Sequence, residues 1–176
     1  MILGLDVSTS ITGATVLDDT GGIVLCEAWD MRNKKHFEDI LDKAEAVKKR
    51  LLEIAAKHDI KEIYIEKPFM FFNSGGSSAK TMSILQNFNG MVSWLVFQQF
   101  GFKPKYLTAS EARKLCGIKV PRGTKAKEKV IEFVLDKVPD FGVEYTKFGN
   151  PRPGELDRAD SWVIAKAGLT HWKQKS

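Results

Sequence analysis

The chain has little sulfur and little histidine: two cysteines and three histidines in 176 residues. Cys26 and Cys116 stand far apart and in no CxxC pattern, which argues against a disulfide framework and a thiolate zinc site. No histidine cluster takes their place, so any resident metal must be held by oxygen. Long apolar runs are absent, and the N-terminus opens directly into a strand pattern without a signal peptide. A soluble, intracellular chain with no membrane partner is expected. Repeats and linkers are lacking too, and the length is too small for two full lobes, so one domain over residues 1–176 is expected.

What is present is charge, unevenly placed. The formal net charge is +5 and the sequence pI about 9.1, yet of four acids, Asp6, Glu66, Asp157 and Asp160, three stand where packing asks for apolar side chains. Asp6 closes Ile2-Leu3-Gly4-Leu5, and Glu66 closes Ile63-Tyr64-Ile65, so each carboxylate sits at the tip of an expected buried strand, where α/β sheets gather ligands. Asp160 precedes Val163 and Ile164 by one helical turn and shares their inward stripe, with Asp157 three residues before it. Carboxylates converging on partly buried ground repel one another unless a positive charge lies between them, most simply a divalent metal. A basic rim around such a pocket suits a polyanion such as nucleic acid.

The periodicity predicts strands over residues 1 to 7, about 11 to 18, and 22 to 29, the last two joined by Asp18-Asp19-Thr20-Gly21-Gly22. An amphipathic helix follows from about Phe37 to Lys57, then a strand over 61 to 66 whose order favours parallel pairing. Lys67-Pro68 ends that strand and opens a loop through Ser78. A helix over 79 to 100 is apolar nearly all round in its second half, Met91 to Phe97, and asks for two partners, the sheet and a further surface such as a second subunit. A strand over 103 to 107, a short helix capped by Thr108 or Ser110, and helices near 124 to 137 and 155 to 170 complete the pattern. The segment from Pro139 to Pro153 has no periodicity.

Several motifs admit more than one reading. Gly4-Leu5-Asp6-Val7-Ser8-Thr9-Ser10, with Thr12-Gly13, suits a metal-binding carboxylate, a phosphate loop of the actin-like ATPase type, or a turn-forming aspartate. An actin-like ATPase needs two lobes, and this length supplies one. Acids at 157 and 160 also suit the positive end of a helix. In the basic segment Lys119 to Lys129, Thr124 has the look of an N-cap, yet lysines crowd the first turns against the macrodipole. An anion bound there resolves the conflict, and a solvated basic face is the plainer alternative. Phe69-Met70-Phe71-Phe72 follows Glu66 and can stack on unpaired bases or pack beneath the loop.

Taken together, Gly4-Leu5-Asp6 with Thr12-Gly13, Ile65-Glu66-Lys67-Pro68-Phe69-Met70, Lys125-Ala126-Lys127-Glu128-Lys129-Val130 and Asp157-Arg158-Ala159-Asp160-Ser161 resemble the RuvC-type Holliday junction resolvases. The resemblance spans nearly the whole chain in order. It implies an α/β, RNase H-like fold: a mixed five-stranded sheet, antiparallel meander plus parallel strands, flanked by helices. It also implies a homodimer and a two-metal nuclease nicking four-way DNA junctions symmetrically. Asp6, Glu66, Asp157 and Asp160 would be the catalytic metal ligands, for two Mg²⁺ with Mn²⁺ as a substitute. Phe69 would act at the branch point, and Lys119, Arg122, Lys125 and Lys127 would contact the branched DNA. The runner-up reading is a branched-DNA binder that does not cut.

Overall fold

A computed structural model describes residues 1–68 and 79–174. Five strands form one sheet: β1 (Ile2–Asp6), β2 (Ile11–Leu17), β3 (Ile23–Asp30), β4 (Glu62–Glu66) and β5 (Lys105–Leu107), in the spatial order β3-β2-β1-β4-β5. The first three make an antiparallel meander, and β4 joins β1 in parallel, as does β5 to β4. Between β3 and β4 runs α1 (Ile40–Lys57), and between β4 and β5 runs α2 (Ala79–Phe100). After β5 come α3 (Ala109–Cys116), α4 (Ala126–Lys137) and α5 (Glu155–Lys173). This is the mixed sheet expected from the sequence.

Strand alternation divides the apolar side chains between the two faces. Leu3, Leu5, Ile63 and Ile65 pack with α1 and α2. Ile2, Tyr64 and Leu107 pack with α3, α4 and α5. The same period of two carries Asp6 and Glu66, which follow Gly4 and Tyr64, onto the face covered by α5. Both sheet acids therefore look toward the helix that holds Asp157 and Asp160.

Close approach of α5 to the sheet depends on small residues. A Cβ on Gly13 would lie 2.0 Å from the Asp157 carbonyl oxygen, and one on Gly4 would lie 2.3 Å from the Ala165 nitrogen. Buried Thr15 and Ser161 link the layers through hydroxyls 2.8 Å apart. Gly154 caps α5 at a φ of 97°, a left-handed conformation that side chains disfavour. These contacts fix the first turn of α5 against the tip of β1.

Several element ends differ from the sequence reading. The first helix begins at Ile40, because Asp39 and Asp42 form a reciprocal capping box there. Lys103 and Pro104 lie outside β5. Thr108 is the cap of α3, with Glu111 closing the box. Thr124 is not a helix cap: its hydroxyl donates to the Pro121 carbonyl at 2.7 Å, and Lys125 takes the cap position with no side-chain bond. The hydroxyl is satisfied within its own turn. In the aperiodic segment a single bridge joins Tyr145 to Pro151.

Candidate active site

The four acids come from three elements and meet at one end of the sheet. Asp6 ends β1 opposite Gly13, and Glu66 ends β4 opposite Leu107. Asp157 lies in the first turn of α5, and Asp160 lies one turn further. Each is partly buried, and the Asp160 side chain is only 16% exposed. Buried Asn89 on α2 donates to the Glu66 carbonyl at 3.3 Å and steadies the end of β4. At the other edge, Lys43 donates to the Thr9 carbonyl at 2.6 Å and braces the β1–β2 turn.

All four carboxyls hold their protons more tightly than usual. Burial raises Asp6 well above its ordinary range, and the charges of Glu66 and Asp160 raise it further. Glu66 is pushed up to about 7, first by burial and then by Asp160. Burial likewise raises Asp157 and Asp160, against the pull of Lys127. Burial is the first cause for each; repulsion then ties Asp6 to Glu66, Asp160 and Asp157, Glu66 to Asp160, and Asp160 to Asp157.

The nearest compensating charge is Lys127. Its ammonium sits 3.2 Å from Asp160 Oδ2. Burial works to neutralise that ammonium, but Asp160, Asp6 and Asp157 together raise its pKa. Arg113 from α3 also favours ionised Glu66 and Asp160. Arg32, which grips Asp30 through two bonds of 2.9 and 2.6 Å, does the same for Asp157. Sequence reading missed Arg32, Arg113 and Asn89, since none belongs to a local motif. For Asp6 and Glu66 a usable signal was present: both share strand parity with the residues that meet α5.

The basic segment divides in its roles. Lys125 pairs with Glu128 at 3.0 Å, and Lys127 turns toward the acids. Lys119 and Arg122 are exposed and form no ion pair among the described residues. Phe69 and the rest of the aromatic loop lie outside the described residues.

The donor set suits a hard divalent cation, being oxygen only and poised around shared negative charge. As placed, however, no group of three or more Asp, Glu, His or Cys side chains among the described residues is close enough to hold a metal ion. Lys127 beside Asp160 supplies positive charge in this arrangement. No helix among the described residues is long and apolar enough to cross a membrane.

No family model matches the sequence, and no curated protein matches it either. Solved structures do match. RuvC of T. thermophilus in complex with a Holliday junction substrate aligns over 98% of this chain and 94% of its own, with a TM-score of 0.69 and 17% identity. A Thermus thermophilus RuvC structure aligns over 99% and 96%, at 0.63 and 18%. The yeast mitochondrial Holliday junction resolvase Ydc2 aligns over 98% and 79%, at 0.60 and 14%. Identity this low speaks to architecture, and over essentially its full length the chain has the RNase H-like fold of the RuvC resolvases.

Proposed function

We propose that the chain is a single nuclease domain, over residues 1–176, that cuts phosphodiester bonds in four-way DNA junctions. The cuts would be symmetric, leaving 5′-phosphate and 3′-hydroxyl ends. The observation that carries this reading is the convergence of Asp6, Glu66, Asp157 and Asp160 into one coupled group. The RuvC fold around that group supports junction DNA as the substrate.

Asp6, Glu66, Asp157 and Asp160 would hold two Mg²⁺, or Mn²⁺ in their place. Bound ions of this kind activate water and stabilise the leaving oxygen in phosphodiester hydrolysis. The chain itself supplies orientation and charge. Raised proton affinity keeps the acids from accumulating charge before a cation arrives. Lys127 can leave Asp160 for the phosphate group under attack, offsetting the negative charge that builds there. Exposed Lys119 and Arg122 would hold the flanking backbone, and Phe69 would wedge at the branch point.

Two copies would place two centres on symmetry-related strands. Exposed Trp94 and Phe97 on α2, at 57% and 38% exposure with ring centroids 5.9 Å apart, support that face as the contact. A second reading, junction binding without cleavage, draws support from the Lys127–Asp160 pair, which closes the acid cluster on itself. Incubating labelled junction, flap and plain duplex with Mg²⁺, Mn²⁺ or EDTA separates the two. Paired nicks that require metal and favour the junction support the nuclease. Binding with no cut in either metal leaves only the second reading.

A further inference from the structure

The aperiodic segment before α5 folds into a small hairpin that the acid cluster does not use. Its arms are joined by the Arg152 N–H donating to the Glu144 carbonyl and the Thr146 N–H donating to the Asn150 carbonyl, both at 2.8 Å. An ion pair of 3.0 Å links the side chains of the same Arg152 and Glu144. At the apex the Gly149 N–H donates to the Thr146 carbonyl at 2.9 Å, with Gly149 at a φ of 78°. A turn over Lys147 and Phe148 closed by a left-handed glycine is one of the common three-residue hairpin loops. Both ends of the segment are tied to the first turn of α5, which carries Asp157. Arg158 donates to the carbonyls of Phe141 and Gly142 at 3.1 and 3.3 Å, and the Glu155 N–H donates to the Arg152 carbonyl at 3.1 Å.

The apex presents side chains that the fold does not bury. Phe148 is 79% exposed, more than any other large apolar residue among those described, and Tyr145 on the rising arm is 50% exposed. Lys147 pairs with no carboxylate among the described residues, and its ammonium lies 5.0 Å from the centre of the Phe148 ring. A ring held out on a braced turn beside an unpaired cation suits a nucleotide, which offers a π-face to stack on and a phosphate for the lysine. An apolar protein partner fits less well. The ring is flanked in the turn by Lys147, Gly149 and Asn150, whereas the cores of protein interfaces are depleted in charge.

We infer that this hairpin is a stacking post for an unpaired base of the DNA, with Phe148 on the face of the base and Lys147 on a neighbouring phosphate. The inference rests on the junction reading above and adds a contact made by neither the acids nor the loop of Phe69. Phe148 precedes Gly154, the cap of α5, by six residues, which bounds their separation at about 20 Å. That is the length of about six stacked nucleotides, so the base it meets lies near the cut.

The test measures binding of a labelled four-way junction by the full chain in EDTA, so that no cutting intervenes. A series of junctions, each with one abasic nucleotide near the branch, is run beside the intact one. Phe148→Ala should weaken binding of the intact junction at least fivefold, and Phe148→Trp should keep it within twofold of native. At one or more positions the abasic junction should cost the native chain a similar factor, and Phe148→Ala should then add little to it. Lys147→Ala should flatten the salt slope of binding by about 0.7–0.9. A smaller loss in Phe148→Ala, full additivity at every abasic position, or an unchanged slope in Lys147→Ala would each overturn the inference and leave the junction reading standing. A native chain that binds no junction would remove both.

Discussion

Lys127 is the residue whose role shifts most between sequence and structure. Its place among Lys125, Lys129 and Arg122 reads as a phosphate contact, whereas its ammonium rests on Asp160. We therefore expect Lys127→Ala to slow junction cleavage by about 10²–10³-fold, the usual cost of losing one charge-stabilising donor. The salt dependence of junction binding should change little. Lys119→Ala and Arg122→Ala should do the reverse, each flattening the salt slope by about 0.9. Binding isotherms across a salt series, with cleavage rates on the same proteins, distinguish the two classes. Glu66 gives a second expectation. Its folded-state pKa of about 7 exceeds the ordinary 4.5, so the folded chain binds more protons than the unfolded one. Stability of the metal-free protein should then fall as pH rises from about 4.5 to 7. Asp18, Asp30, Asp59 and Glu111 are shifted the other way, and their contribution changes only below that window. Calorimetry should find a lower Tm at pH 8 than at pH 5, with added Mg²⁺ recovering more at pH 8. A Tm that climbs over this range without metal would contradict the coupling of the acids.

At the scale of elements, α5 positions the site, and Gly13 is where it does so. An alanine there puts its Cβ 2.0 Å from the Asp157 carbonyl oxygen, so the first turn of α5 must move away from β2. Gly13→Ala should cost about 1–3 kcal/mol in urea unfolding and roughly 10²-fold in cleavage, since misplacement by about 1 Å has that effect. A methyl group added at Gly90 in α2 would meet nothing within 4 Å, and Gly90→Ala should instead stabilise by about 0.5–1 kcal/mol. The order of strands and helices was legible because apolar periodicity and turn residues mark them locally. Asp160 was legible too, through its alignment with Val163 and Ile164. Less visible were the ends: Thr124 looks like a cap by residue type, but its own turn claims the hydroxyl. Asn89, Arg32 and Arg113 could not be read at all, because their reach to the acids is a product of tertiary packing rather than of spacing along the chain.

Across the whole molecule, the sheet separates two apolar layers, one under α1 and α2 and one under α3, α4 and α5. The acids lie at one end of the sheet on the α5 side, and the exposed aromatics lie on α2. Under the proposed function, this separation would let the aromatic face meet a second copy while the acids face DNA. Light scattering should give twice the 19.8 kDa chain mass, and Trp94→Glu with Phe97→Glu should return it to one chain. A native monomer at micromolar concentration would remove the symmetric arrangement. The central claim is that the four carboxylates are one metal-dependent cutting centre. Its most direct test is single-turnover cleavage of a pre-bound junction, started by adding Mg²⁺, for the native chain and for Asp157→Asn. Paired nicks are predicted from the native chain alone, with junction affinity equal within about threefold because the substitution removes charge and keeps shape. Cutting by Asp157→Asn at the native rate, or a native chain that binds the junction and never nicks it, would contradict that claim.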